Sequence, residues 1–292
     1  MFALEPERTQ FDLNWRMFGI PVRVHPMFWL IAALLGWPVA QQGLSFLLIW
    51  IGCVFVSILI HELGHVFAGR IFGAYGHIVL YSFGGLAIGS SNLPQRWQRV
   101  IVSFAGPLAG FILFGLILAA VLLSLPEDHP PLVVRFPWGW LWSLARQMVE
   151  AGWNPLLVEA VLYLLEINLF WGLLNLLPIW PLDGGKISRE LLEYIIPSRG
   201  TLVALGLSGT LAALLAINSL AAHFRRPFLP DFIPAGGLYS AFFFGMLALA
   251  SFQLYQAEAD RRKRWESDEA TPWEREHGDW NQEDRERDYW AR

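Results

Sequence analysis

The sequence has a single cysteine, Cys53, and few charged residues. One cysteine excludes an intramolecular disulfide and a cysteine-rich metal site, so any bound metal ion must be held by histidine and carboxylate side chains. Charged residues make up 16% of the 292 residues, hydrophobic residues make up 55%, and the mean hydropathy is +0.41. A soluble globular domain is rarely this apolar. We therefore expect a membrane protein that crosses the bilayer several times.

The amino-terminal region lacks the apolar core of a secretory signal peptide. Its first 24 residues are mixed and polar, and no apolar stretch precedes a small-residue cleavage site. No cleavable signal peptide is therefore expected. Residues 1–25 are interpreted as a segment on the cytoplasmic side of the membrane.

Six apolar stretches predict about six transmembrane helices, which makes the expected fold class an all-α polytopic membrane protein. They cover approximately residues 26–40, 44–70, 100–125, 156–177, 202–222 and 235–255. Tryptophans cluster near the ends of these stretches, as in an interfacial aromatic belt. Residues 26–256 would form one membrane-embedded domain. Residues 257–292 alternate acids and bases and are expected to form a disordered or loosely helical, Trp-containing cytoplasmic tail.

The distribution of basic residues predicts the orientation. With six membrane crossings, most Lys and Arg residues fall on the side that holds both termini, and the opposite loops hold only Arg135, Arg146, Arg225 and Arg226. Cytoplasmic segments carry the excess of basic residues. Both termini are therefore expected to be cytoplasmic, in a multi-pass protein of the plasma membrane.

A short β element interrupts the helical pattern between the second and third stretches. Residues 77–81 and 86–88 are β-prone runs separated by Ser82-Phe83-Gly84-Gly85, which indicates a hairpin. A hairpin at membrane depth must be buried against protein or face a wet cavity, because lipid offers its backbone no hydrogen bonds. The sequence thus predicts a small membrane-associated hairpin.

The strongest functional signal is the pattern His61-Glu62-Leu63-Gly64-His65 inside the second apolar stretch. Two histidines four residues apart lie on one side of a helix, so both imidazoles can reach a single metal ion. In soluble zinc peptidases this spacing supplies two zinc ligands and a glutamate base. Ionisable side chains in a membrane helix each cost about 2 to 3 kcal/mol or more, which favours a functional site over an incidental polar patch.

A third ligand is needed, because a catalytic zinc site normally has three protein ligands and a water molecule. Asp183 follows the fourth apolar stretch at the same expected depth, with Pro178 and Pro181 before it and Gly184 and Gly185 after it. The prolines break the helix and the glycines let the chain turn, so the Asp183 carboxylate can point at an ion. On this stretch alone, an ordinary loop aspartate is an equally good interpretation.

Together the two motifs resemble those of the site-2 protease family of intramembrane zinc metalloproteases. That family pairs HExxH on one membrane helix with NxxPxxxxDG on another, and residues 61–65 and 175–184 match at every fixed position. The resemblance also reaches residues 18–26, Phe83-Gly84-Gly85 and Phe104-Ala105-Gly106-Pro107. Some members carry an asparagine soon after the Gly-Pro pair, where this chain has Gly110.

The resemblance implies a zinc metalloendopeptidase that cleaves peptide bonds in or near transmembrane segments. One zinc ion per chain would be held by His61, His65 and Asp183, and Glu62 would activate the attacking water and later protonate the leaving amine. Residues 126–155 are too few for an inserted PDZ domain, and the tail is too short for a paired nucleotide-sensing module. A compact member of the family is therefore expected.

The resemblance also implies where the substrate binds. Asn175 is expected to hold substrate backbone or orient the site, and the hairpin around Gly84 and Gly85 is expected to receive an unwound substrate segment as an added strand. The expected partners are a transmembrane protein substrate and the lipid bilayer, and no nucleic acid is expected.

Two other functions compete with proteolysis. A proteolytically silent relative could bind or chaperone membrane proteins, but such relatives usually lack the glutamate or a ligand, and all four positions are present here. A metal-ion transporter would show internal repeats with paired broken helices. This sequence shows one broken helix, at Pro178, and no repeat.

Overall fold

The computed structural model describes residues 5–82, 84–126, 139–229 and 236–269, and these are mostly helical. The described helices are α1 (Pro26–Leu35), α2 (Trp37–Ala40), α3 (Leu44–Ile71), α4 (Arg96–Ser124), α5 (Gly139–Glu150), α6 (Pro155–Asn175), α7 (Asp183–Ile195), α8 (Gly200–His223) and α9 (Gly237–Glu269). The described strands are β1 (Leu13–Met17), β2 (Ile20–Val24), β3 (His77–Tyr81) and β4 (Gly84–Ile88). Phe83 of the expected hairpin and residues 270–292 of the expected tail lie outside the described residues.

Five of the described helices are long and apolar enough to cross a membrane, which confirms the predicted helical fold of a multi-pass membrane protein. They are α3, α4, α6, α8 and residues Gly237–Arg264 of α9. The structure differs from the prediction at the first apolar stretch, which forms the 10-residue α1 and the 4-residue α2. A 10-residue helix is about 15 Å long, half the thickness of the hydrocarbon core.

The first apolar stretch is divided into two helices and packs against α3. The indole Nε1 of Trp50 on α3 donates a hydrogen bond to the Ala32 carbonyl, at 3.0 Å. Gly36 lies between α1 and α2, and a Cβ there would overlap the Trp50 ring. The chain can therefore turn tightly against α3 at Gly36, and the helix stops short.

The β element is larger than the predicted hairpin. Strands β3 and β4 form that hairpin, and β1 and β2 extend it to a four-stranded sheet of order β1-β2-β3-β4. Neighbouring strands pair antiparallel except β2 and β3, which pair in parallel with Val22 opposite Ile78. A parallel pair needs a long crossover connection. Here the crossover contains α1, α2 and α3.

One face of the sheet packs on the helices and the other is polar. The alternate residues of β2 and β3 on the first face are fully buried against α1 and α3: Ile20, Val22, Val24, Ile78 and Leu80. The opposite face carries the residues between them and their partners on β1, namely Asn14, Arg16, Pro21, Arg23, His77 and Val79. This packing holds β3 and β4 beside α3.

The carboxyl-terminal helix extends beyond its apolar part. Helix α9 includes residues 257–269, the beginning of the expected tail, and these are helical. Glu258 pairs there with Arg261 at 2.7 Å and with Arg262 at 3.3 Å. Such i,i+3 and i,i+4 pairs support a helix in water.

Candidate metal centre

Helix α3 places His61 and His65 on one face, one turn apart. Their Nε2 atoms are 3.2 Å apart, and both side chains are almost completely buried. Glu62 is also buried, and its carboxylate lies within 4.8 Å of the ligand nitrogens of both histidines. Polar groups buried this closely in an apolar bundle require partners that satisfy them.

Asp183 is the first residue of α7 and meets the two histidines. Its Oδ2 lies 3.0 Å from His61 Nε2 and 3.2 Å from His65 Nε2. Its side chain is 4% exposed. The structure therefore brings together the three predicted zinc ligands from two helices. His61 and Asp183 are 122 positions apart in sequence.

Gly184 and Gly185 permit this approach by being small. A Cβ on Gly184 would overlap the Leu176 carbonyl, and a Cβ on Gly185 would lie 2.6 Å from the backbone nitrogen of Trp180. Backbone atoms cannot move aside as a flexible side-chain end can. The turn between α6 and α7 can therefore close tightly only with glycine at both positions, and this tight turn delivers Asp183 to α3.

The three ligand atoms have the spacing of a zinc site. Zinc holds imidazole nitrogen and carboxylate oxygen at about 2.0 to 2.1 Å in a tetrahedron, which puts neighbouring ligand atoms about 3.3 Å apart. The separations here are 3.0, 3.2 and 3.2 Å, so the atoms form one triangular face of such a tetrahedron. The residues present therefore fit a zinc ion.

A hydrogen bond at Nδ1 of His65 fixes the tautomer of this imidazole. Its Nδ1 lies 2.6 Å from the carbonyl oxygen of Val102 on α4. Because a carbonyl can only accept, Nδ1 carries the proton and donates it, and Nε2 presents a lone pair toward Asp183 and His61. A backbone carbonyl on the far nitrogen is the usual support of a metal-binding histidine.

Lys186 supports the other side of the site. Its Nζ lies 2.9 Å from Asp183 Oδ1, while Oδ2 faces the histidines. An ammonium this close favours the ionised form of Asp183, which burial alone would oppose. The carboxylate is therefore ionised, with Oδ1 directed at Lys186 and Oδ2 directed at the two histidines.

Helix α7 is fixed to α4 by ion pairs. Arg99 forms a two-pronged pair with Glu190, with both nitrogen–oxygen distances 2.7 Å, and Arg96 lies 2.8 Å from Glu193. Two-pronged arginine–carboxylate pairs restrict orientation as well as distance. These pairs set the position of the helix that begins with Asp183.

Two glycines make room for the polar side chains. Gly106 of α4 lies against the imidazoles, and a Cβ there would overlap His65 and lie 2.8 Å from His61 Nε2. Gly85 of β4 lies against Glu62, and a Cβ there would lie 2.6 Å from both Cδ and Oε1. The hairpin therefore packs directly on the acid between the two histidines.

The other two predicted substrate residues lie beside Trp171 of α6. Asn175 is 7% exposed, and its Nδ2 donates to the Trp171 carbonyl at 2.9 Å. Gly84 faces the indole of Trp171, which a Cβ would meet at 3.6 Å. Their expected contacts with substrate stay predictions.

Asn168 of α6 occupies the space beside Gly110. A Cβ on Gly110 would lie 3.4 Å from Asn168 Oδ1. The Asn168 Nδ2 donates to Ser57 Oγ at 2.9 Å, and Ser57 is one turn before His61 on α3. The amide of Asn168 therefore packs beside Gly110 and hydrogen-bonds to the helix that carries the two histidines.

Comparison with known proteins identifies the family. The pattern that defines peptidase family M50 matches residues 49–217, more than half of the chain, and includes both motifs. The chain belongs to peptidase family M50. The resemblance to the site-2 protease family is thereby confirmed.

Relatives of this M50 protein are distant in sequence. It is 27% identical over 213 residues to a zinc metalloprotease of Methanocaldococcus jannaschii, covering 70% of this chain and 53% of the relative. It is 28% identical over 191 residues to stage IV sporulation protein FB of Bacillus subtilis, covering 63% of this chain and 52% of that protein. The chain thus spans about half the length of the curated relatives it matches.

A solved structure shows the same fold. The site-2 protease from Methanocaldococcus jannaschii aligns with a TM-score of 0.51 at 20% identity, over 83% of this chain and 94% of that one. At this identity the match supports the arrangement of helices and strands, and the site must be argued from its own residues.

Three features of the M50 site did not emerge from sequence reasoning. Lys186 is three residues after Asp183, a spacing that puts both on one helix face, and this signal could have found it. Gly106 looks like any small residue of a helix-packing seam. The Val102 carbonyl is a backbone group, which side-chain motifs do not reveal.

Proposed function

We propose that this M50 protein is an intramembrane zinc metalloprotease that hydrolyses peptide bonds in or near transmembrane segments of other proteins. One observation carries the proposal: the ligand atoms of His61, His65 and Asp183 form a buried triangle with the edge lengths of a zinc site, and Glu62 lies beside it. The triangle lies among helices long enough to cross a membrane.

In the proposed mechanism, the Nε2 atoms of His61 and His65 and the Oδ2 of Asp183 hold one zinc ion. When bound, zinc acidifies water and polarises a peptide carbonyl. Glu62 takes the proton of the attacking water and delivers it to the amine that leaves.

Substrate access follows from the position of the sheet edge. Strand β4 pairs with β3 on one side, and no described strand pairs with its other side. An open strand edge offers unpaired backbone groups to which an extended peptide can bind. Because Gly85 of β4 lies against Glu62, a peptide added at this edge would run close to the base, and Gly84 would help to bind it.

Asn175 is proposed as a residue that orients this site. It ends α6, directly before the turn that leads to Asp183. We further propose that residues 26–256 form the protease domain and that the protein lies in the plasma membrane. Both termini are proposed to be cytoplasmic, which requires residues 26–40 to complete a sixth crossing, because the five long helices alone would put the termini on opposite sides.

The decisive experiment compares wild type with Glu62→Gln, using a panel of single-span substrates and purified full-length protein in proteoliposomes, with bound zinc quantified. Glu159→Gln is the matched control, because it removes another carboxylate about 24 Å from Asn175 along α6. Wild type and the control should cleave, Glu62→Gln should be at least about 100-fold slower, and all three should hold about one zinc per chain.

Two outcomes would contradict the proposal. Well-folded wild type without zinc would overturn the metal centre. Stoichiometric zinc with no cleavage of any substrate would favour a proteolytically silent relative.

A further inference from the structure

The polar face of the sheet carries a cavity that none of the candidate site residues lines. Its volume is about 470 Å³, and it lies between strands β1, β2 and β3 and the segment that precedes β1. The polar side chains that line it are mainly basic or hydrogen-bond donors: Glu5, Arg8, Asn14, Arg16, Arg23 and His77.

The two acids beside this cavity, Glu5 and Asp12, are both paired with Arg23. The side chain of Arg23 is 7% exposed, and its guanidinium lies 2.9 Å from Glu5 Oε1 and 2.9 Å from Asp12 Oδ2. It also donates to the carbonyls of Pro6 and Glu7. The remaining oxygen of Glu5 lies 3.4 Å from His77 Nε2. Neither acid is therefore available to the other arginines.

Arg8 and Arg16 have no such partner. Both side chains are exposed, both line the cavity, and neither forms an ion pair or hydrogen bond with any residue in the described part of the chain. Arg16 projects from β1 on the same face as Arg23. Two uncompensated guanidinium groups thus face one cavity, where a doubly hydrogen-bonding anion is the complementary ligand.

Three strongly exposed apolar side chains lie along β1, the strand that carries Arg16, although none of the three lines the cavity. Phe11 is 72% exposed, Leu13 is 53% exposed and Phe18 is 70% exposed, all in or beside β1. Exposed aromatic and aliphatic side chains next to arginines are typical of the headgroup region of a bilayer, where one part of the surface is wet and the other meets acyl chains. This protein spans a membrane, so such a region is present.

We propose that this cavity binds a phosphate-bearing group through Arg8 and Arg16, and that its source is the headgroup of an anionic phospholipid. The exposed apolar side chains along β1 favour a lipid over a soluble phosphate ester, because acyl chains can cover them while the headgroup meets the arginines. Arg23 holds the wall of the cavity in place and contributes no free charge, because Glu5 and Asp12 occupy it. The site is independent of the proposed proteolysis.

Native mass spectrometry tests the proposal by measuring how much lipid stays bound to the protein. The full-length protein is released from detergent in the presence of defined amounts of phosphatidylglycerol or phosphatidylcholine. Wild type should retain phosphatidylglycerol preferentially. Arg8→Gln/Arg16→Gln should bind it about thirtyfold more weakly, which corresponds to about 2 kcal/mol for two arginines near a lipid surface. Arg225→Gln/Arg226→Gln is the matched control, because it removes two exposed arginines that lie beyond α8, and it should bind like wild type.

Glycerol phosphate distinguishes the two sources of phosphate. Displacement of the lipid only at concentrations far above that of the lipid itself would support a headgroup site. Binding of glycerol phosphate with an affinity equal to that of the lipid, lost in Arg8→Gln/Arg16→Gln, would support the site but overturn the lipid as its ligand. Equal lipid retention by all three proteins, or equal loss in both double variants, would overturn the site. Thermal melting of each variant excludes unfolding as the cause.

Discussion

Lys186 and Asp183 lie one turn apart on α7, and the Lys186 ammonium binds the carboxylate oxygen that faces away from the histidines, at 2.9 Å. The carboxylate therefore has one oxygen held by a cation and the other directed at His61 and His65. A carboxylate held in this way is oriented before any metal ion arrives. We infer that Lys186 positions Asp183 for zinc.

Replacing Lys186 by Met should weaken zinc binding about 10-fold to 100-fold, because the outer carboxylate oxygen loses its partner and the ligand can rotate. Competition with a fluorescent chelator measures this affinity in purified protein. Lys186→Arg should restore part of it, since the charge is kept and the geometry differs. The other lysine of the chain, Lys263, is exposed on α9, and Lys263→Met is the control. Zinc affinity unchanged in Lys186→Met would contradict the inference.

Gly106→Ala should weaken zinc binding, because the added methyl group would occupy the space of the His65 imidazole. The imidazole must turn away or α4 must move, and we expect zinc affinity to fall at least about 10-fold. Gly115→Ala on the same helix adds a methyl group where nothing lies within 4 Å, so it should bind zinc like wild type. Equal zinc affinity in the two variants would show that α4 does not confine the histidines.

Gly85→Ala should separate zinc binding from catalysis. The methyl group would displace the Glu62 carboxylate, and the three atoms nearest to it all belong to Glu62 and none to a zinc ligand. We expect kcat to fall about 100-fold, the usual contribution of a general base, while zinc stoichiometry is kept. Gly52→Ala on α3, where a methyl group meets nothing within 4 Å, is the control. Loss of zinc together with activity would contradict this separation.

Glu193 should make stability depend on acidic pH. Burial opposes its ionisation, but hydrogen bonds from Thr201, Arg189 and Arg96 outweigh burial and lower its pKa from 4.5 to about 2. Because this pKa is lower in the folded state, the stabilisation is complete above the unfolded value near 4.5 and is lost as the pH falls toward 2.

Glu193→Gln should therefore destabilise the protein at neutral pH by about 1 to 2 kcal/mol, as expected for weakened hydrogen bonds to a charged group, and the difference from wild type should shrink below about pH 4. Melting temperatures between about pH 3 and pH 7 measure the effect. Glu150 pairs with Arg146 on an exposed surface of α5, so Glu150→Gln should change little at any pH. A constant gap between Glu193→Gln and wild type across this range would disprove the linkage.

The sequence predicted those parts of the site that depend on local spacing. The two histidines are one turn apart because the helix has 3.6 residues per turn, and the Pro and Gly residues around Asp183 mark a turn by their own chemistry. The contact between Asp183 and the histidines joins residues far apart in sequence, and local spacing could not distinguish a metal ligand from an ordinary loop aspartate. Only the resemblance of the two motifs to those of a known family indicated that contact.

Other parts of the fold depend on contacts between residues far apart in sequence, and local patterns do not predict such contacts. Residues 26–40 are apolar enough for a membrane helix, but Trp50 and Gly36 fold them against α3. Strand β1 was not predicted because it is only five residues long and almost wholly exposed, in a region whose composition is mixed. Strand β2 is stabilised by β3, more than 50 residues later, and a short window cannot show that pairing.

The parallel pairing of β2 with β3 gives the first residues of the protein an influence on the chemistry of α3. Without β1 and β2, the strands β3 and β4 would be a two-stranded hairpin, which is marginally stable by itself and would depend on its packing against the helices alone. Gly85 would then be held less firmly against Glu62. A protein that began after Val24 would keep every candidate zinc ligand and the base, and yet would lack the scaffold that aligns an incoming peptide with them.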